Sequence, residues 1–114
     1  MEALLGISVG TTGITSLIMD ARGQVLSRAY SPIGLQTPGP DQVEQDPDEW
    51  WRAVSSTCRE ALDLAKGPGI AAVGLSGQTN AVVPVDSSGR ALGPAMIWMD
   101  RRAREEAAQV RMKV

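Results

Sequence analysis

The order of hydrophobic and polar positions in the first thirty residues predicts a set of short strands. Three stretches rich in aliphatic and β-branched residues are separated by glycine-containing turns, and they cover residues 4–9, 14–19 and 24–30. The turn from Asp20 to Gly23 has Asp first and Gly fourth, as a type I turn prefers. The pattern therefore predicts an antiparallel meander of three strands.

The clearest helix in the sequence is predicted over residues 47–66, after a loop over residues 31–45. Asp46 is a good N-cap, Pro47 suits the first helical position, and Glu49 is spaced to complete a capping box with Asp46. Apolar residues then recur every three or four positions and give the helix one apolar face. The sequence Gly-Pro-Gly that follows is a strong stop signal.

The second half of the chain predicts more strands and a final helix. Residues 70–75 form a near-continuous apolar run, typical of a strand buried on both faces after a crossover helix. We expect this strand to lie parallel to the first strand. Further strands are predicted over residues 81–85 and 95–98, and a helix from Asp100 onward. The order β-β-β-α-β-β-β-α predicts one α/β domain with a mixed sheet.

Composition excludes several classes of function. Eleven basic and thirteen acidic residues give a net charge of −2, which is no electrostatic footprint for nucleic acid or an anionic membrane. Histidine is absent, so Ser-His and Cys-His machinery is excluded, and the single cysteine, Cys58, is interpreted as a core residue. No apolar run approaches the length of about 20 residues that crosses a bilayer. A cytoplasmic location is expected.

The first stretch that could bind a ligand follows the first strand, where the apolar run is broken by Gly10, Thr11, Thr12 and Gly13. Glycines allow close backbone approach, and successive N–H groups can form a nest for phosphate oxygens. No Gly-Lys-Ser/Thr signature is present, so the P-loop class is not supported. A glycine-rich hairpin without a ligand is the alternative.

Four segments in register resemble the N-terminal part of the FGGY carbohydrate kinases, and they cover residues 5–13, 43–51, 74–78 and 95–102. The resemblance implies an α/β fold of the ribonuclease H-like type found in the actin-like ATPase superfamily. Residues 1–114 would be the N-terminal part of the first, sugar-binding domain, without the second, nucleotide-binding domain. The predicted final helix reaches Val114 without a cap, from which we expect the chain to be cut.

The activity implied by the resemblance is ATP-dependent phosphorylation of a sugar or polyol, xylulokinase-like, with Mg²⁺. The isolated chain is expected to be inactive, since the general base and most nucleotide contacts of the family lie further along. By the same resemblance, the nucleotide phosphates would contact Ser8, Gly10, Thr11 and Thr12. The sugar would contact Gln78, Thr79, Asn80, Trp98 and Asp100.

Simpler roles compete with these assignments. Trp98 could pack in the core, and Asp100 could cap the final helix. Trp50 and Trp51 are assigned to packing. Arg101 and its neighbour Arg102 are interpreted as a solvated helix start or as ion-pair partners within the domain.

Two positions depart from the family pattern. Ser8 stands where the pattern has an Asp that helps to hold Mg²⁺, and a neutral hydroxyl is a weak replacement at such a metal position. Xylulokinases typically have Met-His after the glutamine that matches Gln78, and glycerol kinases have Arg-Glu, whereas this chain has Thr79-Asn80. The identity of the sugar or polyol is therefore left open.

Other functional hypotheses remain at this point. Ser8 and the short chain also fit a degenerate domain that binds a sugar or a partner without catalysis. A structural actin-like element without a sugar role is disfavoured by residues 45–51 and 98–100. A dimer through an exposed cut surface is also left open.

Overall fold

The computed structural model describes residues 2–114, and it contains six strands and two helices. In chain order these are β1 (Glu2–Val9), β2 (Gly13–Met19), β3 (Val25–Pro32), β4 (Glu44–Gln45), α1 (Pro47–Leu64), β5 (Gly69–Gly77), β6 (Ala95–Met96) and α2 (Arg104–Arg111).

The main sheet has the strand order β3-β2-β1-β5. The β1–β2 and β2–β3 pairs are antiparallel, and β5 lies parallel to β1. The predicted meander and the parallel placement of residues 70–75 are thereby confirmed. In this register Ser8 of β1 lies opposite Thr15 of β2 and Ser76 of β5. Both loops that carry predicted site residues leave the sheet at the carboxyl ends of β1 and β5.

Helix α1 packs against one face of this sheet through small side chains. Ala53, Thr57 and Ala61 are its buried residues, and Ala61 joins the core formed with Ala3, Leu5, Ile18 and Ala29. Small residues allow the helix backbone to come close to the strands. Cys58 is partly buried against this core, which confirms its interpretation as a core residue.

Hydroxyl groups satisfy one another at the buried helix–sheet contact. Ser16 Oγ lies 2.8 Å from Thr57 Oγ1, and Ser27 Oγ donates to the carbonyl oxygen of Ala61 at 2.6 Å. Because each buried hydroxyl has a partner, the contact avoids the penalty of an unpaired polar group.

The start of α1 is partly as predicted. Asp46 Oδ1 accepts the N–H of Asp48 at 2.9 Å, so Asp46 is the N-cap. The prediction of a capping box is wrong, because Glu49 Oε1 accepts the N–H of Gly34 at 3.0 Å and not that of Asp46. Glu49 thus fastens the preceding loop to the helix rather than closing the helix end on itself.

The end of α1 comes at Leu64, two residues earlier than predicted. The N–H of Gly67 donates to Leu62 O at 2.8 Å and that of Lys66 to Asp63 O at 3.0 Å, which is the Schellman arrangement. Lys66 and Gly67 both have φ of 63°, a left-handed conformation in which only the glycine is unstrained. These two residues with positive φ lead the chain from α1 into β5.

The segment after β5 differs from prediction. Residues 81–85 do not form a regular strand, and only Val82 and Val85 make isolated bridges, to Met96 and Ala91. Pro84 lies between them and has no N–H for a ladder, which explains the interruption. The predicted strand over residues 95–98 is reduced to β6, which pairs with β4.

The face of β5 is more open than its apolar sequence predicted. Leu75 is 76% exposed, so the expected burial on both faces is not found within residues 2–114. Among these residues β5 pairs only with β1.

Neither helix in the described part of the chain is long and apolar enough to cross a membrane.

Candidate functional site

The loop between β1 and β2 is closed by its own backbone and by Tyr30. The N–H of Gly10 donates to Gly13 O at 3.0 Å, and Tyr30 Oη donates to Thr12 O at 3.2 Å. A Cβ at position 13 would collide with the Tyr30 hydroxyl and ring, so the tyrosine can take this place only over a glycine. The loop is therefore fastened to β3 through Tyr30.

Three of the predicted site residues meet at Thr11. Thr11 Oγ1 donates to Gln78 Oε1 at 3.2 Å, and Trp98 Nε1 donates to Thr11 Oγ1 at 2.9 Å. Gln78 follows β5 directly, and its N–H donates to Val9 O at 2.9 Å, which extends the parallel pairing by one residue. The predicted phosphate loop and two of the predicted sugar residues are thus in direct contact.

Gln45 completes this cluster and was missed by sequence reasoning. Its Nε2 donates to Thr11 O at 2.6 Å, while its Oε1 accepts from Gln78 Nε2 at 2.8 Å and from Trp50 Nε1 at 3.1 Å. We call residues 11, 45, 50, 78 and 98 the Gln45 network. A glutamine between two acidic residues carries no burial signal. Its place just before a helix N-cap, within a segment that resembles the family, was the only clue.

The tryptophans do not all pack as predicted. Trp98 is 54% exposed, so the alternative in which it packs in the core is wrong, because its anchored indole N–H keeps the ring at the surface beside Thr11. Trp51 is also exposed and is not a packing residue, since it lies on the face of α1 away from the sheet. Trp50 is partly buried and serves the Gln45 network.

Asp100 fastens two segments together instead of capping a helix. Its Oδ2 accepts the N–H of Val43 at 2.8 Å and pairs with Arg102 Nη2 at 2.7 Å, and the same nitrogen pairs with Glu44 Oε1 at 2.6 Å. The ion-pair interpretation of Arg102 is confirmed, whereas Arg101 is exposed. The helix-cap alternative for Asp100 is wrong, because α2 begins after Ala103, without a side-chain cap.

The ion pair between Asp100 and Arg102 shifts the pKa of both groups. The hydrogen bond from the Arg102 guanidinium holds the pKa of the Asp100 carboxyl well below its usual range, with help from the backbone N–H of Val43. The same bond to Asp100, followed by the one to Glu44, raises the pKa of Arg102 above its usual value. Both groups therefore stay charged over the range in which most proteins are folded.

The remaining predicted residues lie outside the Gln45 network. Ser8 is exposed, and with Thr15 and Ser76 it lines a cavity of about 300 Å³ on the open face of the sheet. Asn80 has a φ of 56° and borders a second cavity of about 380 Å³ near Asp100. Thr12 and Thr79 are exposed, and Gly10 is half-buried in the loop. The predicted residues thus form one hydrogen-bonded cluster with separate groups on either side.

The donor set around Ser8 does not fit a divalent cation by itself. Its neighbours in register are neutral hydroxyls, and Mg²⁺ prefers carboxylate and phosphate oxygens. Across residues 2–114, no three or more His, Cys, Asp or Glu side chains are grouped so that they could hold a metal ion.

Replacing Asp100 with Asn is expected to lower the free energy of unfolding at neutral pH and to lose this effect in acid. A carboxylate with a depressed native pKa stabilises the fold above the unfolded pKa of about 3.9, and the gain disappears as pH falls toward the native value. Urea unfolding of both proteins between pH 7 and strongly acidic pH measures the difference. Asp41→Asn, at an exposed pair with Arg104, is the control and should change little at any pH. A difference for Asp100→Asn that is constant with pH would contradict the assignment.

Comparison with known proteins identifies the family to which the sequence is similar. The sequence profile of the N-terminal domain of the FGGY family of carbohydrate kinases matches residues 3–114. The chain is 28% identical to xylulose kinase of Escherichia coli, over 96% of this chain and 23% of that protein. It is 38% identical to glycerol kinase of Acinetobacter baylyi, over 90% of this chain and 21% of that protein. The chain thus spans less than a quarter of the length of these relatives.

Solved structures give the same result for the fold. The crystal structure of xylulose kinase from Rhodospirillum rubrum superposes with a TM-score of 0.93 and 27% identity, and it covers 98% of this chain and 23% of that one. The corresponding kinase from Brucella ovis also gives a TM-score of 0.93, with 28% identity over 97% of this chain and 23% of that one. The expected ribonuclease H-like fold of the actin-like ATPases, present as part of a domain, is confirmed. From the family profile, the relatives and the sheet order together, the chain belongs to the FGGY family of carbohydrate kinases.

Proposed function

We propose that this chain forms the sugar side of a kinase site at which ATP phosphorylates a hydroxyl of a sugar or polyol. The observation that carries the proposal is the contact of Trp98 and Gln78 with Thr11. It places an exposed aromatic ring beside a loop whose backbone can receive phosphate oxygens. A phosphate donor and a polyhydroxy acceptor would therefore meet at one end of the sheet.

The proposed roles follow from what each group still has to offer. The indole N–H of Trp98 is taken by Thr11, so the ring contributes its face, which suits the apolar face of a sugar. Thr79, Asn80 and Asp100 are proposed as polar contacts to sugar hydroxyls. Most of the Asp100 acceptor capacity is already used by Val43 and Arg102, so its contact with a sugar would be a secondary one.

The loop after β1 is proposed to bind the nucleotide phosphates. Thr12 would act through its backbone N–H, Gly10 would shape the loop because its own N–H is bonded to Gly13 O, and Thr11 would keep its hydroxyl for Gln78 and Trp98. ATP is the proposed donor. Mg²⁺ would need ligands beyond the hydroxyls around Ser8, because these residues do not fit a divalent ion by themselves.

The acceptor class is proposed from the relatives, which are named xylulose kinase and glycerol kinase. A ketose or a polyol is therefore the proposed substrate, and Thr79-Asn80 would select among them. Because the chain spans less than a quarter of these relatives, we propose that turnover needs further residues. The 114-residue chain alone should not phosphorylate xylulose or glycerol above a protein-free control. Its cytoplasmic location stays a prediction.

Titration of the complete protein with xylulose and glycerol tests the sugar site. Binding measured by calorimetry should weaken by roughly 10–100-fold in Trp98→Ala, because the sugar loses its apolar partner. Trp51→Ala removes another exposed indole, from α1, and is the matched control, with no expected change. Equal weakening in both variants, or none in Trp98→Ala, would argue against a sugar site at this ring.

A further inference from the structure

Gln45 is a buried polar side chain at a junction between two elements. It is 1% exposed, it ends β4, and it comes directly before the N-cap of α1. Its backbone is therefore fixed on both sides, which limits where its side chain can reach. A buried amide in such a place must find partners for both of its ends.

The direction of this amide is set by Trp50. An indole N–H can only donate, so the Gln45 atom that faces Trp50 Nε1 must be the carbonyl oxygen. The NH₂ end then faces Thr11 O, which can only accept, at 2.6 Å. The structure offers no consistent alternative in which this amide is flipped.

The same logic fixes the amide of Gln78. Since Gln45 Oε1 is an acceptor, the atom that faces it at 2.8 Å must be Gln78 Nε2. Gln78 Oε1 then faces Thr11 and accepts its hydroxyl at 3.2 Å. Both ends of the Gln78 amide are thus engaged by the protein.

The chain of bonds ends at a second donor-only group. Once the Thr11 hydroxyl donates to Gln78, its lone pairs receive the indole N–H of Trp98 at 2.9 Å. A connected series of hydrogen bonds therefore runs from Trp98 through Thr11 and Gln78 to Gln45 Oε1, which also accepts the indole N–H of Trp50. Such networks are rigid when every member is satisfied, and the residue at the centre of this one, Gln45, is buried.

We propose that Gln45 is a positioning residue that sets the β1–β2 loop, Gln78 and Trp98 in one common geometry. The assignment rests on the proposed function in so far as Trp98 and the loop serve the ligands. We also assign a positioning role to Gln78, because both ends of its amide are hydrogen-bonded within the network. A ligand that moves Trp98 would therefore change the hydrogen bonding of Trp50, because the two indoles are linked through Gln45.

Gln45→Glu tests the inference by changing one atom. The glutamate can still accept from Trp50 and Gln78, but its second oxygen faces Thr11 O where Gln45 donated. The protein has three tryptophans, so ¹⁵N-tryptophan labelling gives three indole signals, each assigned by a single Trp→Phe variant. We expect the Trp98 signal to move toward that of exposed Trp51, although no hydrogen bond joins Trp98 directly to Gln45.

Acidification should reverse this change. Burial and the facing carbonyl raise the pKa of a glutamate at position 45 above the usual value of about 4.3. The disturbance should therefore be full at neutral pH and should fade as pH falls, because a protonated carboxyl donates to Thr11 O again. Gln36→Glu makes the same change at an exposed site and should leave all three signals in place.

A second variant approaches the network from its other side. Thr11→Val removes the hydroxyl and keeps the shape, and we expect the Trp50 signal to move although no hydrogen bond joins Trp50 directly to Thr11. This variant also decides the matter if Gln45→Glu unfolds the protein. A Trp50 signal unmoved by Thr11→Val, or a Trp98 signal unmoved in a folded Gln45→Glu, would overturn the inference.

Kinetics of the complete protein add a separate readout. We expect Gln45→Glu to lower kcat by roughly 10–100-fold relative to Gln36→Glu, as small displacements at a positioned site do. The loss should diminish at lower pH, in parallel with the recovery of the Trp98 signal. If no polyol is phosphorylated by any variant, the proposed function fails while the indole signals still decide the role of Gln45.

Discussion

Ser8→Asp is expected to raise the kcat of the complete protein by about 10²–10³-fold and to leave sugar affinity unchanged. Position 8 is exposed on β1, opposite Thr15 and Ser76, whose hydroxyls can donate to a carboxylate. A carboxylate would add a ligand suited to Mg²⁺ and charge where the ATP phosphates are proposed to lie. Sugar affinity should not respond, because Ser8 is not hydrogen-bonded to the network that holds Trp98 and Gln78.

The measurement is kcat as a function of Mg²⁺ concentration for the native protein and for Ser8→Asp. Ser8→Asn is the matched control, since it has nearly the size of Asp without the charge, and its rate should stay near that of the native protein. Equal rates with equal Mg²⁺ requirements for the native protein and Ser8→Asp would show that serine is an adequate residue here. The interpretation of Ser8 as a weak metal position would then be wrong.

Ile18→Ala is expected to lower the free energy of unfolding by about 3–4 kcal/mol. The isoleucine is 0% exposed on β2 and belongs to the core cluster that includes Ala61 of α1. The lost methyl and methylene groups leave a cavity that the neighbouring alanines are too small to fill. This is the largest stability effect that we expect from a single truncation in the core.

Urea unfolding followed by circular dichroism measures this loss. Leu64→Ala is the control, because Leu64 is 59% exposed at the end of α1 and its removal should cost less than about 0.5 kcal/mol. Similar losses in the two variants would contradict the placement of the core between α1 and the sheet.

The sheet and the first helix could be predicted because their signals are local. Alternating and continuous apolar runs identified β1, β2, β3 and β5, and Asp46 with Pro47 marked the start of α1. The strand predicted over residues 81–85 was wrong. The β-branched residues around Pro84 favour a strand, but proline has no N–H and so interrupts the hydrogen-bonded ladder. Local propensity and ladder pairing gave opposite answers there, and pairing decided.

The site could be predicted only in part, because its contacts join residues far apart in the chain. The resemblance to the family indicated Thr11, Gln78 and Trp98, and the structure brings these three together. Gln45 could not be found from the sequence, since its burial depends on the loop after β1 and the end of β5 meeting above it. Asp100 was predicted to contact the sugar, which stays a prediction; its observed partner Val43 lies in a loop whose path the sequence did not fix.

Sugar-dependent formation of ADP by the complete protein tests the central claim most directly. The assay would compare xylulose and glycerol, the acceptors named for its relatives, with other ketoses and polyols, each against ATP without an acceptor. The account predicts ADP and a phosphorylated acceptor in equal amounts for at least one of these compounds, with a large loss in Trp98→Ala. Binding of a sugar without any ADP above the acceptor-free rate, across the whole panel, would contradict it and would favour a sugar-binding domain without catalysis.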